Sequence, residues 1–106
     1  MMSEFNNATI ARKANFYFDG QVTSRTVTLA DGERITLGIM MPGEYRFDTA
    51  ARELMEIQAG RVEVLLPGES EWRSVAADEN FKVPANAEFD IKVLEVTDYC
   101  CSYFSD

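Results

Sequence analysis

The residues of this chain best suited to chemistry are a carboxylate, two arginines close to it in sequence, and a few phenols and thiols. Glu53 opens the stretch ELMEIQAGRVEVLLPG and stands seven positions ahead of Gly60, with six residues between them. That stretch reads as a strand, a tight turn at the glycine and a second strand. Glu53 is in phase with Met55 and Ile57, so it should point toward the core or a pocket. A carboxylate there is costly without a partner, which leaves it an arginine to pair with or a polar ligand to contact. In many small β-barrels a carboxylate so placed joins histidines around a metal, but this sequence contains no histidine. One carboxylate cannot supply the three or four ligands that iron, manganese or zinc require. Cys100 and Cys101 do not change that. They are adjacent, strand neighbours point to opposite faces, and a disulfide between them would be strained, so both are expected to be reduced.

The elements that must position these groups are short and β-rich. Turn signals recur at Asp19-Gly20, Asp31-Gly32, Pro42-Gly43, Ala59-Gly60, Pro67-Gly68 and Pro84 to Asn86. Between them lie strand-like segments at residues 21–29, 33–40, 44–48, 53–59, 61–66, 71–76, 80–84, 88–96 and 98–104. The first two, joined by ADG, form an expected hairpin, with Ile35, Leu37 and Ile39 sharing one face of its second strand. Val62 and Val64 alternate with Arg61 and Glu63, and Phe89, Ile91 and Val93 alternate with Glu88, Asp90 and Lys92. Only the N-terminal stretch and residues 49–54 could hold a helical turn. About nine short strands at regular spacing predict an all-β sandwich or barrel.

A chain of 106 residues is one domain, long enough to bury a single apolar core. We set residues 1–13 apart as an extension and expect one domain over 14–106. With 18 acidic and 10 basic side chains the net charge is −8, which argues against a nucleic-acid binder needing a basic surface. A few converging arginines can still make a local anion pocket inside an acidic protein. No apolar run is long enough to span a bilayer, and the first residues lack the basic start and apolar stretch of a signal peptide. No membrane association and a cytoplasmic location are the expectation.

The segment PGEYRFDTAARELMEIQAGRVEVLLPG resembles the first motif of the cupin superfamily, with Glu53 and Gly60 in place. The histidine positions fall on Arg46 and Asp48, or on Phe47 and Thr49. DENFKVPANAEF is similar to the second motif, with Asp78 and Asn86 at its glycine positions and Phe89 where a histidine usually stands. Asp and Asn tolerate the left-handed turn conformations otherwise left to glycine. Together with YFDGQV, LGIMMPGEYRFDT, Trp72 and FKVPANAEF, these pieces resemble the pyrimidine/purine nucleoside phosphorylase family of small bacterial cupins, over residues 16–104.

That resemblance implies a cupin-type, RmlC-like jelly-roll β-barrel of about nine to eleven short antiparallel strands. It implies metal-independent phosphorolysis of purine and pyrimidine nucleosides to free base and ribose 1-phosphate, without a cofactor, by a homodimer. Such a reaction needs a held phosphate, stabilisation of a sugar cation and a hydrogen bond to the leaving base. With no Gly-rich phosphate loop, an arginine is the better phosphate ligand. Arg46 and Arg52, which lie near Glu53 within the first motif, are the first candidates; Arg25, Arg34 and Lys82 stand behind them. Arg46 turns inward with Glu44 and Asp48 in one strand phase and is a surface residue in the other. Glu53 is the candidate catalytic group, at the sugar, and Tyr45, Phe89 and Tyr103 are candidate substrate contacts. Trp72 and Phe81 are read as core. The alternative is a metal-free cupin that binds a small ligand without turning it over.

Overall fold

The computed structural model describes residues 3–105. Eleven strands are present among them: β1 (Thr9–Ile10), β2 (Asn15–Tyr17), β3 (Val22–Thr28), β4 (Arg34–Met40), β5 (Gly43–Asp48), β6 (Arg52–Ala59), β7 (Arg61–Leu65), β8 (Arg73–Ala76), β9 (Asn80–Val83), β10 (Glu88–Val93) and β11 (Thr97–Phe104). They form two antiparallel sheets. One runs β1-β3-β4-β11-β6-β9, with β2 also on β3, and the other runs β5-β10-β7-β8. The sheets face each other across one core as a flattened, unclosed barrel. The segment set apart at the N-terminus is tied to this frame, since Thr9 and Ile10 pair with Thr28 and Val27 of β3.

Alternation decides which side chains meet inside. Val62, Val64, Ile91, Val93 and Phe89 point inward from the smaller sheet, and Met55, Ile57, Phe81 and Val83 meet them from the larger. Burying these residues stabilises the fold by about 1.5–3 kcal/mol for each large side chain. On β4 the inward phase is Arg34, Thr36, Gly38 and Met40, with Met40 in the main core. Ile35, Leu37 and Ile39 therefore lie on the outer face. There Ile35 packs with Val27 and Cys100 in a second, smaller cluster that also takes in Ala8 and Leu37. The two cysteines separate as expected, Cys100 outward and Cys101 inward, and both are free thiols.

The turn chemistry follows the sequence. Asp78 and Asn86 adopt φ of 70° and 56°, the left-handed conformation expected where the motif has glycine. Asp31 closes the β3–β4 hairpin, its Oδ1 accepting the Glu33 N–H at 2.9 Å. Two expectations are corrected. Residues 49–51 hold no helix and lead directly into β6; the one helical element among the described residues is a 3-10 turn at Phe18–Gly20. Trp72 is 37% exposed rather than core, with the Lys92 ammonium 4.2 Å above its ring, because it precedes the edge strand β8. No helix among the described residues is long and apolar enough to cross a membrane.

Candidate functional site

One end of the interior is polar. Ser24 and Thr26 on β3, Thr36 on β4, Glu53 on β6 and Cys101 and Tyr103 on β11 all face inward there. Their spacing follows from register: Thr26 pairs with Thr36, and Glu53 with Tyr103. Asn15 adds to the row, its Nδ2 donating to Ser24 Oγ at 3.2 Å and more weakly to Thr26 Oγ1 at 3.4 Å. A purely structural core would fill these positions with aliphatic side chains, as the opposite end of the barrel does.

Beside this row lies a cavity of about 130 Å³, lined by Glu53, Cys101, Tyr103, Phe47, Phe89 and Tyr17 among others. Ligand pockets commonly span ~300–1,000 Å³, whereas a dry cavity of ~150 Å³ accepts a benzene. The enclosed part therefore admits one ring, and the rest of a larger ligand must lie at its mouth. Phe47 and Phe89 stack at 5.7 Å between centroids and form one wall. Phe18 meets Phe47 edge-on at 5.4 Å.

Glu53 is half-buried, and that burial raises its carboxyl above the ordinary range. The Cys101 thiol, which donates to Glu53 Oε1 at 3.4 Å, and the charge of Arg34 both act against the shift without cancelling it. Burial likewise pushes the Cys101 thiol and the Tyr103 phenol far up, so both stay protonated and serve as hydrogen-bond donors. Tyr103 Oη lies 3.1 Å from Thr36 Oγ1, which fixes the ring at the cavity edge.

Of the residues singled out in the sequence, the structure brings Glu53, Tyr103 and Phe89 together around the cavity. Phe89 occupies the inward position where a histidine would stand. Tyr45 is inward but committed, its Oη donating to the Met41 carbonyl at 2.7 Å, so it latches the turn before β5 rather than presenting a donor to ligand. With Tyr45 and Phe47 inward, Arg46 must point out. Its side chain is 65% exposed and forms a two-pronged pair with Asp90 across β5–β10, Nε to Oδ1 at 2.8 Å and Nη2 to Oδ2 at 3.3 Å. That pairing holds the Asp90 carboxyl below its usual range. Arg46 is therefore the surface residue of the two phases open to it, directed away from the cavity.

Arg52 lies on the outer face of β6 at the barrel rim, its guanidinium 4.5 Å from the Phe104 ring. It shares a rim groove with Arg34, Tyr103 and Phe104. Arg34, which ranked behind it by sequence, is the arginine on the inner face. The signal was present in β4, where the phase holding Arg34 also holds Thr36 and Met40. Reading Ile35, Leu37 and Ile39 as the informative face hides it. Among the described residues no three His, Cys, Asp or Glu side chains converge in a way that could hold a metal ion.

The family model for pyrimidine/purine nucleoside phosphorylase matches residues 12–103. A protein of that name from Syntrophotalea carbinolica is 62% identical, the match covering 96% of this chain and 98% of that protein. One from Clostridioides difficile is 53% identical over 99% of this chain and all of its own length. Among solved structures, a protein of unknown function (DUF1255) from Acinetobacter sp. ADP1 superposes with a TM-score of 0.92 at 36% identity, over 95% of this chain and 98% of that one. A cupin-2 domain protein from Shewanella frigidimarina, 14% identical, superposes with a TM-score of 0.64 over 77% of this chain and 79% of its own, which shows the shared cupin fold. On the match of model and relatives over nearly its full length, this chain belongs to the pyrimidine/purine nucleoside phosphorylase family.

Proposed function

We propose that this protein is a nucleoside phosphorylase that cleaves purine and pyrimidine nucleosides with inorganic phosphate, a pentosyl transfer. The observation that carries the reading is Glu53: an inward carboxylate in an aromatic-walled cavity, with no metal-ligand set around it among the described residues, in a chain of this family. In the reaction the C1′–N bond breaks with its electron pair going to the base, and a phosphate oxygen forms the new bond to C1′. The proton carried by hydrogen phosphate ends on the departing base, so nucleoside plus hydrogen phosphate balances base plus ribose 1-phosphate. Glu53 faces the sugar, where its charge stabilises the cation that develops at C1′. Phe89, with Phe47, lines the ring-sized space, and Tyr103 donates a hydrogen bond at its edge. Arg52 holds phosphate from the rim; Arg46, turned away and paired with Asp90, takes no part. No metal or other cofactor enters the scheme, and the protein acts in the cytoplasm.

The test is base release from uridine and inosine by the purified protein. Release that requires added phosphate and survives EDTA is expected. Absence of release from any of several nucleosides overturns the reading in favour of a cupin that binds without turnover. We also propose that the protein assembles as a homodimer through the apolar outer face of the larger sheet.

A further inference from the structure

We propose that Arg34 is a phosphate-binding residue of this protein, the inner arm of an anion site at the cavity mouth. The inference rests on the phosphorolysis reading for the identity of the anion; the site itself rests on geometry.

Arg34 is the first residue of β4, and alternation along that strand places it inward with Thr36, Gly38 and Met40. Its guanidinium carbon lies 4.2 Å from the centroid of the Tyr103 ring. Stacking of this kind holds the group in place and leaves its N–H donors for an oxyanion. The platform is itself fixed, because Tyr103 Oη meets Thr36 Oγ1 at 3.1 Å and Tyr103 pairs with Glu53 across β11–β6. No carboxylate among the described residues lies within ion-pairing distance of Arg34, in contrast to Arg46 with Asp90. Its charge nevertheless reaches Glu53.

Tyr103 lines both the cavity and the rim groove that contains Arg34 and Arg52, so the two spaces meet at this ring. The order along the site is then aromatic wall, Glu53, Tyr103 and Arg34. An anion on Arg34 would lie at the rim beyond Tyr103, on the side from which a nucleophile can approach C1′ of a sugar held at Glu53. Arg52, stacked on Phe104 from the opposite face, closes the rim from outside. The inner arginine also offsets the repulsion between a phosphate dianion and the Glu53 carboxylate. In an acidic protein of net charge −8, such local compensation is needed for phosphate to approach at all.

The experiment compares wild type with Arg34→Gln, Arg34→Lys and, as a surface control, Arg61→Gln. Two readouts are used: KM for phosphate and for uridine, and the phosphate-induced rise in Tm without nucleoside. Arg34→Gln is expected to raise KM for phosphate roughly 10- to 100-fold, the cost of one charge-assisted contact, with KM for uridine little changed. It is also expected to abolish the phosphate-induced rise in Tm, with Arg34→Lys intermediate and Arg61→Gln unchanged. An Arg34→Gln protein with wild-type KM for phosphate and a wild-type Tm response overturns the assignment. If wild type releases no base but its Tm rise with phosphate is lost in Arg34→Gln, the anion site stands and the phosphorolysis reading falls. If wild type shows neither turnover nor a phosphate response, both fall.

Discussion

At Glu53 three influences compete over one proton. Burial favours the neutral acid, while the Cys101 thiol and the Arg34 charge favour the carboxylate; burial is the largest, and the carboxyl is raised above its ordinary 4.5. The folded state thus binds this proton more tightly than the unfolded chain does. The resulting contribution to stability is fully present below about pH 4.5 and is lost as pH climbs through the folded-state value. A neutral amide at this position escapes that loss. Glu53→Gln is therefore expected to melt above wild type at pH 7 and to converge with it near pH 4. The same substitution should remove most phosphorolysis, a trade of stability for activity at one residue. Melting curves at the two pH values, alongside base-release rates, check this. A variant that melts below wild type at pH 7 with full activity would mark Glu53 as a structural carboxylate paired within the fold. The neighbouring thiols are held in the protonated form, Cys100 at about 11 and Cys101 higher still. Neither should react appreciably with a thiol-specific reagent at pH 7 until the protein is unfolded; rapid modification of native protein would contradict that.

Among the elements, β3, β4 and β11 come together at Gly38, where the β3 backbone and the Tyr99 ring of β11 leave no room for a side chain. A Cβ at Gly38 would collide with the Thr23 carbonyl and stand 2.8 Å from the Tyr99 ring. Tyr99 lies across this gap, its hydroxyl donating to Thr23 O at 3.2 Å, and it lines the cavity from β11. Because one of the obstacles is backbone, Gly38→Ala must push β3 and β4 apart or eject the ring, at a cost of about 1–3 kcal/mol. A lowered urea midpoint with an unchanged m-value, together with weaker activity, is the expected result; an unchanged midpoint would show that the strands yield freely. The nine strands from β3 to β11 were legible in sequence to within a few residues, because strand alternation and turn residues are local signals; β1 and β2 were not, being two- and three-residue strands in a stretch read as an extension or left without a strand. Asp78 and Asn86 could be assigned left-handed turns because they stand at the glycine positions of the motif that the sequence resembles and are residue types that tolerate them. The facing of strands was less legible. In residues 44–48 both phases carry plausible side chains, and only packing against Phe18 and Phe89 turns Tyr45 and Phe47 inward and Arg46 out. On β4 the more apolar face is the outer one, so hydrophobicity pointed away from Arg34. The cavity had no sequence signal, since it arises where β6 and β11 of one sheet meet β5 and β10 of the other.

For the whole molecule, the distribution of surface character bears on assembly. The outer face of the smaller sheet is charged, with Arg46, Glu88, Asp90 and Lys92 in cross-strand register. The outer face of the larger sheet is apolar, with Phe16 at 69%, Ile10 at 60% and Ile39 at 39% exposure. Exposed apolar residues scattered singly need no partner, but Phe16, Leu37 and Ile39 line one shallow groove together. Arg25 and Asp98 line the same groove. A groove carrying one charge of each sign suits the proposed two-fold pairing, since an isologous dimer requires a self-complementary surface. The second copy would also cover Ile39 beside the Val27–Ile35–Cys100 cluster, extending that small outer core into a continuous one. A stable pairing buries at least about 1,000 Å² in total. Wild type is thus expected to sediment as a dimer at micromolar concentration, and Ile39→Asp, which places a charge at the centre of the apolar groove, as a monomer. Because Ile39 points away from the cavity, the variant should retain its fold by circular dichroism. A monomeric wild type, or an Ile39→Asp protein that remains dimeric, would move the interface elsewhere or remove it.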